Sequence, residues 1–157
     1  MAKKVNSSTA GMMMTKNFEG WRDAPYQDPG GENKAVAWGF NLNDPAVSSI
    51  IHPEIISGKR KMTEQEAEPI FQKKYSEAAK SASSFIGDQT FNALSEAQKN
   101  VLIDMAYNMG SISEFKKLKA AILKGDYKTA AAELKNSKWY KQTGRRAKNH
   151  YLQIQER

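Results

Sequence analysis

The chain has 157 residues, of which 39% are hydrophobic, so it can bury a core, and wholesale disorder is excluded. It contains no cysteine, which excludes disulfides, thiol nucleophiles and zinc sites built on cysteine. The two histidines, His52 and His150, lie far apart in the sequence, so we expect no metal site. The length fits one compact domain or two small lobes around a shared spine.

The net charge of +7 is concentrated late in the chain, since residues 114–150 hold eleven Lys or Arg against three Asp or Glu. Such a surface attracts polyanions, although a solvated lysine-rich surface is an equally good interpretation. No recognition motif accompanies the charge, so a nucleic-acid partner is not expected. No segment is apolar enough to span a bilayer, and residues 5–9 are too polar for a signal-peptide core.

The first elements are a loose arm and a helix. Residues 1–10 are small and polar, which predicts an arm without regular structure. Residues 11–22 follow a helical pattern, in which three large apolar side chains share one face: Met14, Phe18 and Trp21.

A small sheet is expected next. Residues 24–43 are punctuated by proline and glycine, which predicts a hairpin or three-stranded sheet with a tight turn at 29–31. Residues 44–62 suggest a mixed loop with one short helix near 46–51.

Thr63 opens a long predicted helix that ends at residue 85 or 86. Thr63 and Glu66 form a capping-box pattern, and Pro69 removes one backbone hydrogen bond near the start. This helix is expected to link an N-terminal part (residues 1–62) to a helical lobe (residues 87–157).

The rest of the chain is predicted to be helical. Ser95 and Gln98 form a second capping box for a helix that stops at Gly110. Two shorter helices are expected near 113–124 and 126–136. Residues 138–140 are expected to form a short link, with Thr143 capping a final helix.

Two acidic residues are candidates for glycoside cleavage. A glycosidase needs one carboxyl group that donates a proton to the leaving oxygen and a second that acts as base or nucleophile. Glu19 near the end of the first helix and Asp28 at the sheet turn lie on different elements. From spacing alone, Glu19 pairing with Arg22, and Asp28 bracing its turn, explain these residues at least as well.

The surrounding sequence resembles the phage lysozymes of glycoside hydrolase family 24 and is most similar to those of the T-even phages. The likeness covers residues 12–154 in the family's order and nearly at its spacing. It rests on five blocks: Phe18-Glu19-Gly20-Trp21-Arg22 with Tyr26-Gln27-Asp28 and Trp38-Gly39; Thr63 to Glu68; Asp104 to Gly110; Ser137 to Thr143; and Arg146-Ala147-Lys148.

The resemblance implies a role for each matching residue. Glu19 matches the general acid, and Asp28 matches the second carboxylate, which activates water in an inverting hydrolysis. Arg146 matches a basic residue that pairs with the catalytic acid. Three further positions match residues that line the sugar cleft: Met105, Tyr107 and Gln142. Helix packing is the stronger interpretation for Met105.

Two departures from the family pattern matter. One extra residue precedes the strand, and Ala35 stands where the family has a threonine whose hydroxyl helps to hold the water. Asn33 and Asn41 are candidate replacements for that hydroxyl. Phe40 replaces a histidine, which we interpret as a structural change.

The resemblance therefore implies an α+β, mainly helical lysozyme fold, with a small antiparallel sheet lobe joined by a long helix to a helical lobe. The expected activity is muramidase cleavage of peptidoglycan without a cofactor, by a monomer. A catalytically inactive wall-binding module and a lytic transglycosylase are the alternatives. We expect synthesis in the host cytoplasm and delivery to the wall by another factor, or else a domain of a larger virion protein.

Overall fold

The computed structural model describes the backbone of residues 2–27 and 33–157, and side chains from residue 9 onward within those ranges. The described residues form a mainly helical α+β fold with a three-stranded antiparallel sheet, as the sequence predicted. The elements in chain order are α1 (Ala2–Glu19), β1 (Arg22–Gln27), β2 (Lys34–Ala37), β3 (Phe40–Asn41), α2 (Pro45–Ser48), α3 (Pro53–Ile56), α4 (Glu64–Ile86), α5 (Asp88–Ala93), α6 (Glu96–Met109), α7 (Lys116–Leu123), α8 (Tyr127–Lys135), α9 (Lys138–Thr143) and α10 (Arg145–Gln153).

The chain divides into two compact units. The sheet unit is Met13–Lys74, and the helical unit joins Tyr75–Arg157 to the start of α1 as far as Met12. Two helices, α1 and α4, therefore contribute residues to both units. The division predicted from the sequence, at residues 62 and 86, stays a prediction.

In the sheet unit the strand order is β1-β2-β3, and the register of β1 against β2 shifts between Arg22 and Tyr26. Strand β2 is central and apolar, and its residues Ala35 to Ala37 are all buried. Trp38 follows this strand and lies edge-on to Phe71 of α4, with ring centroids 5.5 Å apart. The core of this unit thus lies between the sheet and the first half of α4.

A cation joins α1 to this core. Lys16 Nζ lies 4.3 Å from the Trp38 ring centroid and 2.5 Å from a carboxylate oxygen of Glu68 on α4. Partial burial raises the pKa of Glu68, but hydrogen bonds from Lys16 and Gln72 outweigh it and lower the pKa overall. Glu68 is therefore ionised, and its ion pair with Lys16 holds α1 beside the sheet.

In the helical unit, α6 is the central helix. Seven consecutive residues, from Val101 to Tyr107, are buried, so every face of this stretch contacts protein. Ser95 and Gln98 cap the helix reciprocally, as predicted, and Gln98 Nε2 also donates to the Ile154 carbonyl at 2.9 Å. The C-terminal residues are thereby tied to the start of α6.

The Thr63 capping box is confirmed as well. Thr63 Oγ1 accepts from the backbone N–H of Glu66 at 3.1 Å, and the Glu66 carboxylate accepts from the backbone N–H of Thr63 at 3.0 Å. Helix α4 continues through Pro69 to Ile86, which matches the predicted length of the linking helix.

The expectation of a loose arm over residues 1–10 is wrong for residues 2–10, because α1 begins at Ala2. No proline or glycine occurs before Gly11, so nothing in this stretch breaks a helix. Gly11 lies inside α1 because a Cβ there would collide with the Tyr75 hydroxyl and the Asn100 side chain. The helix also ends earlier than predicted, at Glu19.

Three further expectations need correction. Residues 44–62 contain two short helices, α2 and α3, where one was predicted. Residues 138–140 were expected to be a link but belong to α9, which Ser137 caps by accepting from the Tyr140 N–H at 3.1 Å. Thr143 ends α9 instead of capping the final helix, and its hydroxyl donates to the Trp139 carbonyl. The turn predicted at 29–31 lies outside the described residues.

Candidate active site

Glu19 is the last residue of α1. Gly20 stops the helix, because its φ of +74° is left-handed and its N–H donates to the Lys16 carbonyl at 2.9 Å. The carboxylate of Glu19 is therefore held at a helix end, in a partly buried position in the sheet unit.

The Glu19 carboxylate packs against the turn that joins β2 to β3. Gly39 occupies this turn with a φ of +73°, and a Cβ on Gly39 would collide with Glu19 Oε1 and lie 3.1 Å from Glu19 Cδ. The absence of a side chain at Gly39 is thus what lets the carboxylate approach the backbone. This contact joins two segments of the first block on which the resemblance rests.

Arg22 does not share a helix with Glu19, because it belongs to β1 and its guanidinium carbon lies 4.7 Å from the Tyr26 ring centroid. The helical surface pair that offered another explanation for Glu19 therefore has no helix to support it. Asp28, the predicted second carboxylate, lies outside the described residues.

Ala35, which stands where the family has a threonine, lies on the sheet near Asn41 and Phe40. Ala35 is 2% exposed and pairs with Tyr26 on β1 and Asn41 on β3. Asn41 Oδ1 accepts from the Asn43 N–H at 2.9 Å, whereas Asn33 is exposed. Phe40 is fully buried, in agreement with a structural role.

The predicted sugar-binding residues of the helical unit have different environments. Met105 and Tyr107 lie on α6, and both are buried, Met105 completely. Gln142 is exposed on α9, where it lines a cavity of about 670 Å³ together with Asn108 and Trp139. Apolar side chains of α7 and its N-cap, Phe115 and Leu118, form another part of the wall.

Arg146 lies in a buried polar cluster. Its Nε and Nη2 each donate to a carboxylate oxygen of Asp104 at 2.7 Å, and His150 Nε2 lies 2.6 Å from Asp104 Oδ2. Burial raises the pKa of Asp104, but hydrogen bonds from Arg146 and His150 reverse this effect and hold the pKa far below its usual range. Asp104 is therefore ionised, and its charge balances that of Arg146.

A comparison with protein families decides the identity of the fold. The family model described as phage lysozyme matches residues 16–152, which is most of the chain. The chain belongs to the phage lysozyme family. As a phage lysozyme it is a hydrolase that lyses bacterial peptidoglycan. No curated protein matches the chain.

The phage lysozyme match begins at Lys16 and ends at Leu152, so it includes Glu19, Gly39 and the Asp104–Arg146–His150 cluster. Sequence reasoning selected Glu19 and Arg146 as site residues but not Gly39, which contacts Glu19, Asp104, which contacts Arg146, or His150, which contacts Asp104. A glycine beside a carboxylate leaves no local signal, and Asp104 and His150 are 46 positions apart. Asp104 lies in a run of apolar residues from Val101 to Ala106, and this placement is the signal that could have pointed to it.

Within residues 2–27 and 33–157, this phage lysozyme has no group of three or more His, Cys, Asp or Glu side chains that could hold a metal ion. In the same part of the chain, no helix is long and apolar enough to cross a membrane.

Proposed function

We propose that this phage lysozyme is a muramidase of glycoside hydrolase family 24, related to the lysozymes of the T-even phages. It cleaves the β-1,4 bond between N-acetylmuramic acid and N-acetylglucosamine, with Glu19 as general acid and Asp28 as second carboxylate. The observation that carries the proposal is the Glu19 carboxylate, held at the end of α1 against Gly39 within the segment that the family model matches.

The position of Glu19 suits a proton donor. The carboxyl group is partly buried at the end of α1, and part of the side chain stays accessible to a substrate. A general acid must reach the leaving glycosidic oxygen from such a fixed position in order to protonate it.

Asp28 completes the proposed mechanism. In an inverting hydrolysis it takes a proton from the attacking water, on the face of the sugar opposite the leaving group. A second polar group must hold that water, and the methyl group of Ala35 cannot. Asn41 pairs with Ala35 across the sheet and is a candidate replacement, although its Oδ1 already accepts from the Asn43 N–H.

Substrate binding is proposed to involve Met105, Tyr107, Gln142 and Arg146. Gln142 supports this best, because it is exposed on a cavity wall. The lysine-rich segment of residues 114–150 would attract the anionic wall through screened surface charge. We also propose that the enzyme reaches the wall from the host cytoplasm through another factor, or as part of a virion.

Ala35 favours a second candidate, a lytic transglycosylase, because that reaction needs the acid but no held water. The alcohol at C6 of the muramic acid then attacks C1 in place of water, and the bond from C1 to the leaving oxygen breaks. Glu19 protonates the leaving oxygen and afterwards takes the proton of the C6 alcohol, which leaves an anhydro end. A module that binds the wall without cutting it is the outcome if neither product forms.

Mass spectrometry of digested, purified peptidoglycan tests the proposal. The expected product has a reducing muramic acid end. Asp28→Asn should release this product at least about a hundredfold more slowly than the wild type, given typical acid–base contributions. If Asp28→Asn releases anhydro ends at the wild-type rate, the enzyme is a transglycosylase and not a hydrolase. Binding to the wall without any product would show that the protein is a catalytically inactive wall-binding module.

A further inference from the structure

In the buried cluster on α6 and α10, Arg146 has a proposed role in substrate binding, whereas Asp104 and His150 have none. Asp104 and His150 are each 0% exposed, and Arg146 is 7% exposed. Its neighbours on α10, Arg145 and Lys148, are exposed to solvent. The fold therefore removes one cation of a basic helix from water and surrounds its charge with specific partners.

Stability alone does not account for such a cluster. Desolvation of a buried ion pair offsets most of its attraction, and well-packed apolar residues often stabilise a fold equally well. What the cluster adds is geometry, because a guanidinium that donates through two parallel N–H groups to one carboxylate has a defined plane. Asp104 contacts Arg146 in this bidentate way, with both distances at 2.7 Å.

His150 holds Asp104 from a second side. Its Nε2 lies 2.6 Å from Asp104 Oδ2, and its ring stacks on Trp139 with centroids 5.4 Å apart. Trp139 in turn donates from Nε1 to Asn108 Oδ1 at 2.9 Å, and both residues line the cavity that contains Gln142. The cluster thus continues through direct contacts to the cavity wall.

We propose that Asp104 is a positioning residue for this lysozyme, which fixes the guanidinium of Arg146 for substrate binding, and that His150 fixes Asp104. The inference rests on the proposed function, which places Arg146 in the substrate-binding machinery. Asp104 acts only through Arg146 and touches no substrate, so its effect on the rate must vanish once Arg146 is gone.

A double-mutant cycle tests this dependence, with kcat/KM measured on soluble, uncrosslinked glycan strands. The variants are Asp104→Asn, Arg146→Gln and the double mutant, compared at a temperature where circular dichroism shows each to be folded. Asparagine keeps the size of Asp104 but offers one acceptor oxygen, so the guanidinium loses one of its two hydrogen bonds. We expect Asp104→Asn to lower kcat/KM about tenfold or more. In the Arg146→Gln background it should change kcat/KM less than about twofold.

Two controls separate positioning from general loss of structure. Gln98 is another buried polar residue of α6, and its side chain donates to the Ile154 carbonyl. Gln98→Ala should lower thermal stability without changing kcat/KM. His150→Gln keeps a side-chain N–H donor toward Asp104, whereas His150→Leu has none. The loss of activity in His150→Gln should therefore be at most about half of the loss in His150→Leu. These variants also serve if Asp104→Asn does not fold.

The proposal is overturned if the losses of Asp104→Asn and Arg146→Gln multiply in the double mutant. It is also overturned if Gln98→Ala loses activity in proportion to its loss of stability, or if His150→Gln is no better than His150→Leu. An Arg146→Gln enzyme with wild-type kcat/KM, alongside an inactive Glu19→Gln enzyme, refutes this inference and leaves the proposed function intact. An active Glu19→Gln enzyme refutes the proposed function instead.

Discussion

Glu19 and Asp104 are both carboxylates that the fold holds in place, but the two units hold them by different means. In the sheet unit, Glu19 ends a helix and packs against a turn where Gly39 has no side chain. In the helical unit, Asp104 is fully buried and is held by the guanidinium of Arg146 and the imidazole of His150. Steric room positions the first group and charge pairing positions the second, so different substitutions should disrupt them.

The largest effect of a structural substitution is expected at Gly39. In Gly39→Ala the new methyl group collides with Glu19 Oε1 and must displace the carboxylate. A displacement of about 1 Å in a reacting group costs roughly a hundredfold in rate. The rate of clearing of purified cell walls measures the effect, and circular dichroism confirms the fold.

Gly58→Ala is the matched control for this substitution. Gly58 also has a left-handed φ, +82°, but a Cβ there meets nothing within 4 Å. Both variants bear the same backbone strain, about 1–2 kcal/mol, and only Gly39→Ala moves Glu19. Equal activity of the two variants would show that the contact with Gly39 does not position the carboxylate.

Substitution of the charge-paired group should lower the stability of the fold as well as the activity. Asp104→Asn leaves the buried Arg146 cation without a balancing charge, and we expect the free energy of unfolding at neutral pH to fall by about 3 kcal/mol. Urea titration of the wild type and the variant measures this difference. Asp126→Asn is the control, because Asp126 is an exposed N-cap and asparagine caps equally well.

The difference should shrink in acid. The pKa of Asp104 is lower in the folded chain than in the unfolded chain, so its contribution is complete above the unfolded value, about pH 4. It is lost as the pH falls below that value toward the folded pKa. A gap between wild type and Asp104→Asn that stays constant from about pH 6 to about pH 3 would contradict an ionised Asp104.

The smallest effect is expected two residues before Gly39. Ala37 is buried and has a left-handed φ of +58°, which costs alanine about 1 kcal/mol. Ala37→Gly removes this strain but loses a buried methyl group worth about 0.8 kcal/mol and gains flexibility in the unfolded chain. Stability should therefore change by less than about 1 kcal/mol.

Ala35→Gly is the control that separates the backbone strain at Ala37 from the loss of a buried methyl group. Ala35 is buried on the same strand and has no left-handed φ, so its replacement loses the methyl group without relief and should be the more destabilising change. Thermal unfolding of both variants checks the order. If Ala37→Gly is as destabilising as Ala35→Gly, the backbone at Ala37 is not strained.

Elements with local signals were predictable from the sequence. Thr63 with Glu66 and Ser95 with Gln98 announce helix starts, because a capping box is complete within four residues. Helix α9 was missed although Ser137 caps it, because six residues are too few to establish a helical apolar pattern. The start of α1 was missed because small polar residues tolerate both a helix and an arm.

The site was predictable only in part, for a physical reason. Glu19 was found through its resemblance to a family pattern, since spacing alone left a surface ion pair as the better explanation. The contacts that hold it and Arg146 are non-local: Gly39 meets Glu19 across a sheet turn, and Asp104 meets Arg146 across 42 positions. Such contacts depend on packing, which single-chain patterns do not encode.

The most direct test of the account is the rate at which Glu19→Gln cleaves purified peptidoglycan. Glutamine keeps the size of the side chain and its contact with Gly39 but cannot donate the proton. Glu77→Gln, an exposed substitution on α4, is the control and should cleave at the wild-type rate. We predict a loss of about a hundredfold or more in Glu19→Gln with unchanged thermal unfolding. A folded Glu19→Gln enzyme that cleaves the wall at the wild-type rate would contradict the central claim that Glu19 is the general acid.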